Sequence, residues 1–201
     1  IKTLDLVHRL MGVDLFAEND YLRNLPFFYL YTTLPRKQLR PGNSVLCLGD
    51  GAPWHWYGPS SYLHKIAAYY RDPIAQAVAQ QHRQAGASVQ AASLYDLLWF
   101  DPTVPARLPA RLPLSRHFTD KDIVAFRSDW KGDESVLLFK CGPHGGHKAL
   151  QQYPQCIAGG HMAPDAGSLL LFAHGERLIG DGGYAKKYTA YRNTVLVNGI
   201  G

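Results

Sequence analysis

The sequence predicts an α+β architecture, with helices in the first half and an antiparallel sheet in the second. Three observations carry that reading. Apolar residues recur at helical spacing up to about residue 100, in short runs cut by Gly and Pro. Pro102, Pro105, Pro109 and Pro113 then make an extended connector. Beyond it the apolar runs shorten to strand length, with Gly-rich turns between them. The expected organisation is a helical segment over residues 1–104, a linker over 105–113 and a sheet domain over 114–201.

In order, Leu4, Val7, His8, Leu10 and Met11 form a helical stripe that should close near Gly12. A second helix should start at Asp20, read as its N-cap, and run through Leu30, with Pro26 either kinking it or marking its true first turn. Pro35 to Gly42 is a basic connector, and Val45 to Leu48 is a short apolar run ending at Gly49-Asp50-Gly51. Trp54, His55, Trp56 and Tyr57 lie between breakers and belong to a loop. That loop either plugs a helical core or forms the aromatic wall of a cleft. Ser60 or Ser61 should cap a third helix, Asp72-Pro73 should start a fourth running to about His82, and Ser88 to Phe100 should give a fifth. No heptad persists, so helix pairs in series point to an α/α layer or toroid rather than a bundle.

Five strands are expected after the linker: Ile123 to Arg127, Ser135 to Lys140, Leu169 to Ala173, Arg177 to Ile179 and Thr194 to Val197. Their spacing suits an antiparallel sheet or sandwich. His174 falls in the tight turn of a hairpin and should be exposed.

The bulk composition bounds the function. The 201 residues suffice for one large domain or two small ones, and 46% hydrophobic against 18% charged excludes a disordered chain. The net charge of +5 favours anionic partners, but Lys and Arg are scattered, which disfavours nucleic acid. Twelve Tyr and four Trp suit sugar stacking as well as core packing. Cys47, Cys141 and Cys156 show no CxxC spacing and read as reduced thiols, which places the protein in the cytoplasm, with the periplasm also open. No apolar run reaches transmembrane length, and no signal peptide is visible. The opening Ile1-Lys2-Thr3-Leu4 reads as mid-helix, as in an interior piece of a longer protein.

His and Asp residues gather near the predicted strand ends: His144, His147, His161, Asp165, His174 and Asp181. Such a set suits metal binding or proton transfer. His144 and His147 are separated by two glycines, so neither is expected on a helix face. His161 and Asp165 are the stronger pair, because breakers hold them at the mouth of a strand. No GxSxG, Walker or GxGxxG motif is present, which lowers hydrolase, NTPase and dehydrogenase readings.

Three stretches carry a resemblance. They are His161-Met162-Ala163-Pro164-Asp165-Ala166-Gly167-Ser168, then Leu178-Ile179-Gly180-Asp181-Gly182-Gly183-Tyr184, then Tyr191-Arg192-Asn193-Thr194-Val195-Leu196-Val197-Asn198-Gly199. Together they resemble the heparinase II/III-like polysaccharide lyases, and among those the exolytic alginate (oligoalginate) lyases. The family pattern is roughly His-x-His-x-Asp-x-Gly, Asp-x-Gly-Tyr, and His-Asn-Thr with an apolar strand. The resemblance covers most of the chain. It implies the C-terminal part of an α/α toroid followed by the start of an antiparallel β-sandwich.

Two positions depart from the family. Ala163 stands at its second His, and Arg192 where it often has a His. Members with a structural zinc hold it with those positions and the Asp matching Asp181. Here Asp181 is an orphan of that set, so neither zinc nor any other cofactor is expected. One reading of Ala163 is a His→Ala exchange made to trap substrate, which the parent gene sequence would settle. The exchange would leave this form inactive.

The resemblance implies β-elimination on a 4-linked uronic acid. His161 would support or neutralise the uronate, and position 163 would take a direct part if it were His. Arg192 and Tyr184 would contact substrate, with His147, Trp54, Trp56 and Tyr57 lining the cleft. Asp165 would orient the loop by hydrogen bonds. The family's Tyr acid/base and one neutralising His or Asn would lie upstream of Ile1. The implied partner is an anionic polysaccharide or oligosaccharide, with no nucleic acid and no membrane. Heparin- or chondroitin-type lyase action and a non-catalytic carbohydrate-binding module stand as alternatives.

Overall fold

The computed structural model describes residues 1–41, 44–49, 59–86, 93–154, 163–180 and 188–199. They hold six α-helices and one five-stranded antiparallel sheet, so the chain is mixed α and β. It divides into two compact units, Ile1–Leu30 with His55–Arg111, and Tyr31–Trp54 with Leu112–Gly201.

The first unit is helical. α1 (Lys2–Met11) ends where Gly12 turns left-handed at φ 67°, a conformation that glycine adopts without steric cost. α2 (Asp20–Thr32) runs through Pro26, so that proline is not its first turn. The cap is Asn19 rather than Asp20: Asn19 Oδ1 accepts from Leu22 N at 3.1 Å. Neither serine caps α3 (Ser60–Tyr70), because Pro59 holds the cap position and Ser60 is already the first helical residue. α4 (Pro73–Gln84) starts as its sequence reads. Pro73 needs no amide hydrogen there, and Asp72 Oδ1 accepts from Ile74 N at 2.8 Å and Ala75 N at 3.2 Å. α5 (Ser93–Trp99) packs with α4 around α3. The residues expected to open α5, 88–92, lie outside the described residues.

The second unit is a meander of β1 (Ser115–Phe118), β2 (Ile123–Arg127), β3 (Val136–Lys140), β4 (Ser168–Ala173) and β5 (Glu176–Ile179), in that spatial order. Four of the expected strands form. The fifth does not: Thr194 to Val197 is irregular apart from a bridge residue at Val197. Ser115–Phe118 takes the remaining place, as an edge strand whose two half-buried residues, Arg116 and Phe118, pair with Ala125 and Ile123. Its polar composition hid it. The β4–β5 hairpin turns on His174 and Gly175, both at positive φ (53° and 81°), and His174 is exposed there.

Period-two alternation gives the sheet two faces. One buries Ile123, Ala125, Val136, Leu138, Leu170 and Phe172. Tyr31 and Leu34, also buried, belong to the segment that ties onto this face. Arg127 donates to the carbonyls of Tyr31 and Thr33 at 3.1 and 2.7 Å, pairs with Glu134, and lies over Trp130. Burial pulls the Arg127 pKa below its usual value despite Glu134. The other face carries Val124, Phe126, Leu137, Phe139, Leu169 and Leu171, with Phe126 47% and Phe139 37% exposed.

α6 (His147–Gln152) lies between β3 and β4. His147 is its first residue, contrary to the expectation that the glycines would keep it off a helix. Gly146 (φ 101°) makes the entry: a Cβ there would run into Asp120, whose carbonyl and carboxylate accept from His147 N at 2.8 Å and Lys148 N at 2.9 Å.

Candidate functional site

The Ala163–Ser168 loop enters β4 through a set of backbone bonds. Asp165 N donates to the Ala163 carbonyl at 2.9 Å, and Ser168 N to the Asp165 carbonyl at 3.1 Å. Gly167 N donates to the Lys140 carbonyl at 2.7 Å, which joins the loop to the end of β3. Gly167 sits at φ 80°, and any Cβ on it would collide with Thr194 Oγ1. That hydroxyl donates to the Ala166 carbonyl at 2.9 Å.

Two charged groups close this loop from inside. Lys140 stands opposite Ser168 and shares the inward phase of Val136 and Leu138. Its Nζ donates to Asp165 Oδ1, with both side chains less than a tenth exposed. Each removes the charge the other could not bear alone in an apolar interior. Asp165 Oδ2 also abuts Gly49, where a Cβ would come within 3.3 Å of it. Arg192, fully buried after the short 3-10 turn Thr189–Tyr191, donates to the Gly49 carbonyl. Gly49, Asp165 and Arg192, far apart in sequence, therefore meet at one place. Ser168 Oγ is buried nearby in the chain without a hydrogen-bond partner among the described residues.

Of the site residues expected from sequence, Ala163 lies buried beside this cluster in the chain and offers no polar side-chain atom. Arg192 is covered; its guanidinium holds a carbonyl and does not face solvent. Neither Ala163 nor Arg192 supplies a metal-ligand atom, so the two do not fit a zinc site. His161, Tyr184, Asp181, Trp54, Trp56 and Tyr57 lie outside the described residues.

His147 belongs to a different group. Its Nε2 is 2.5 Å from Asp122 Oδ2, and His117 Nε2 is 2.9 Å from Asp122 Oδ1. The bond from His147, and after it that from His117, holds the Asp122 carboxyl below the usual carboxylate range. This exposed bridge ties α6 to the β1–β2 hairpin.

Sequence reasoning missed Lys140, Asp122, His117 and the Arg127–Glu134 pair. The signal for Lys140 was its phase in β3, which puts a lysine inward. A further carboxylate group, Asp129, Asp133 and Glu134, brings oxygens within 4.8 Å of one another. Glu134 already accepts from Arg127 and from Gly132 N at 2.6 Å, Asp133 pairs with Lys37 at 2.6 Å, and Asp129 accepts from Lys131 N at 2.8 Å with Lys131 Nζ 3.7 Å away, so protein donors meet all three charges.

A scan of the chain against models of known protein families finds no match, and neither does a search of curated proteins.

Proposed function

We propose that this chain is part of a polysaccharide lyase that cleaves a 4-linked uronic-acid polymer or oligosaccharide, with alginate favoured. One observation carries the proposal: the three-part sequence signature, whose first and third parts meet in the fold. Thr194 holds Ala166, and Arg192 reaches Asp165 through Gly49. Residues that serve one loop have reason to occur together in the sequence.

The chemistry follows from the substrate. A uronate C5 proton is barely acidic beside an ionised carboxylate, so that charge must be neutralised before a base can remove the proton. Electrons then form the C4–C5 double bond, the C4–O4 bond breaks, and an acid protonates the departing oxygen. His161 is the neutralising or supporting group, and a His at position 163 would act directly. Asp165, its carboxylate held by Lys140, orients the loop rather than taking the proton. For Arg192 to meet a substrate carboxylate, its guanidinium would have to be uncovered. Tyr184, His147, Trp54, Trp56 and Tyr57 are the proposed substrate contacts.

Two structural features support the finer fold reading. Three consecutive helices, α3 to α5, pack as a layer, as a piece of an α/α toroid would. The sheet presents an apolar second face, which a sandwich would cover with a second sheet. Sulfated glycosaminoglycans would call for denser Lys and Arg than the chain carries, which ranks heparin or chondroitin below alginate. Among the described residues no helix is long and apolar enough to cross a membrane. Cytoplasmic or periplasmic action on oligosaccharides is proposed on the thiols.

A carbohydrate-binding module without turnover is the second reading, favoured by the apolar Ala163. Product formation separates the two. Unsaturated uronate absorbs in the ultraviolet, so growth of that absorbance on alginate, heparin or chondroitin oligosaccharides identifies a lyase. Binding without it identifies the module.

A further inference from the structure

Within the sheet unit, a second group of metal-ligating side chains stands apart from the loop at β4. His117, Asp122 and His147 come from β1, the β1–β2 turn and the first residue of α6. The two rings approach one carboxylate from its two oxygens, His117 Nε2 at 2.9 Å from Oδ1 and His147 Nε2 at 2.5 Å from Oδ2. Two imidazoles and one carboxylate are the donor set of an open zinc site. Among the described residues no Lys or Arg pairs with Asp122, unlike the carboxylates of Asp129, Asp133 and Glu134.

The loop between β3 and α6 is shaped to bring the three together. Gly142 lies against the Lys121 carbonyl and Gly146 against Asp120, and a Cβ on either would collide there. His147 N and Lys148 N donate to the Asp120 carbonyl and carboxylate, and Cys141 N donates to the Asp122 carbonyl at 3.0 Å. The backbone is thus fixed around Asp122, while the side chains can turn without repacking the core. His117 and His147 are each 49% exposed and Asp122 32%. Ligand atoms held about 2.0–2.2 Å from a tetrahedral zinc lie roughly 3.3 Å from one another. Both nitrogen–oxygen distances are already near that length, and rotation of the two rings brings their nitrogens to one point beside the carboxylate.

We propose that His117, Asp122 and His147 bind one divalent transition-metal ion of the zinc class. Each neutral ring gives Nε2 to the ion and keeps its hydrogen on Nδ1, Asp122 supplies carboxylate oxygen, and water completes the shell. Calcium and magnesium are disfavoured, because they take oxygen ligands and the set holds a single carboxylate. The ion clasps α6 to the β1–β2 hairpin in place of the two hydrogen bonds. None of the three residues belongs to the zinc set that the resemblance implies, at positions 163, 181 and 192, and the inference does not rest on the lyase reading. With the ion in place, the substrate contact proposed for His147 runs through the ion's open position.

The test uses the whole chain, freed of metal with a chelator and titrated with zinc against a chromophoric competitor. The tightest-bound zinc should be one per chain, and calcium and magnesium should not displace it. His117→Ala and His147→Ala change half-exposed side chains and should leave the circular dichroism spectrum unaltered. Each should weaken that zinc by at least about tenfold. Cys141→Ser should bind as the unchanged chain does, which separates the site from capture by an exposed thiol. In spectra of the ¹⁵N-histidine-labelled chain, the first equivalent of zinc should shift the Nε2 resonances of His117 and His147 together. Unmoved resonances at up to about 1 mM zinc would overturn the proposal. So would a histidine variant that binds as tightly as the unchanged chain, or loss of the tight zinc in Cys141→Ser.

Discussion

Lys140 and Asp165 form an ion pair inside the sheet unit, between the last residue of β3 and the loop that opens β4. The pair fixes the entry to β4 from below, while Gly167 and Thr194 fix it through the backbone. Removing one partner leaves a buried charge without a counter-charge. Lys140→Met or Asp165→Ala should each cost about 3 kcal/mol or more of sheet-unit stability. The double variant should cost clearly less than the two losses added, and urea unfolding of all three variants checks this. Additive losses would mean that the two side chains do not act as a pair.

The Asp72 cap of α4 is a local feature with a local cost. Asp72→Ala removes the acceptor for two amides and should destabilise the helical unit by about 1 kcal/mol. Asp72→Asn should recover most of it, read in the same denaturant curves.

Tyr69 and Asp14 share a 2.5 Å hydrogen bond. The bond to Asp14 is the main cause that pushes the Tyr69 phenol up to about 12. A pKa raised in the folded state means stability present below the unfolded value near 10 and lost as pH rises through about 12. Asp14→Asn should bring the phenol back toward 10, seen as tyrosinate absorbance appearing at lower pH. An unchanged titration would refute the assignment.

Asp122 is shifted the opposite way. The bonds from His147 and His117 depress it, so its contribution is present above the unfolded carboxylate range and is lost as pH falls through its lower folded value. Acid should therefore loosen the junction of α6 with the β1–β2 hairpin before the sheet unfolds. Protection of the Lys148 and Leu150 amides against hydrogen exchange, taken relative to the intrinsic rate at each pH, should fall in acid, and Asp122→Asn should show the lowered protection already at neutral pH.

Much of this fold was legible in the sequence, and its failures have physical causes. Asp72-Pro73 and Gly12 were readable because cap chemistry is local. β2 to β5 were readable because alternation and turn glycines agree. β1 was missed because an edge strand with polar outward residues lacks an apolar run. Thr194 to Val197 was overcalled because β-branched content says nothing of whether a neighbouring strand is there to pair. Of the site, the loop was legible through its breakers. Lys140 was overlooked: a lysine in strand phase is usually discounted as a surface residue. The burial of Arg192 depends on Gly49, a contact across 143 positions that no local pattern announces.

The most direct test of the lyase account is the ultraviolet assay on the full-length gene product, unchanged and with Ala163→His. Both are offered alginate, heparin and chondroitin oligosaccharides, after circular dichroism has shown both to be folded. The account predicts growing absorbance on alginate from the Ala163→His protein, with little or none from the unchanged one. A flat trace from both folded proteins on all three substrates would contradict it and leave the carbohydrate-binding reading in its place.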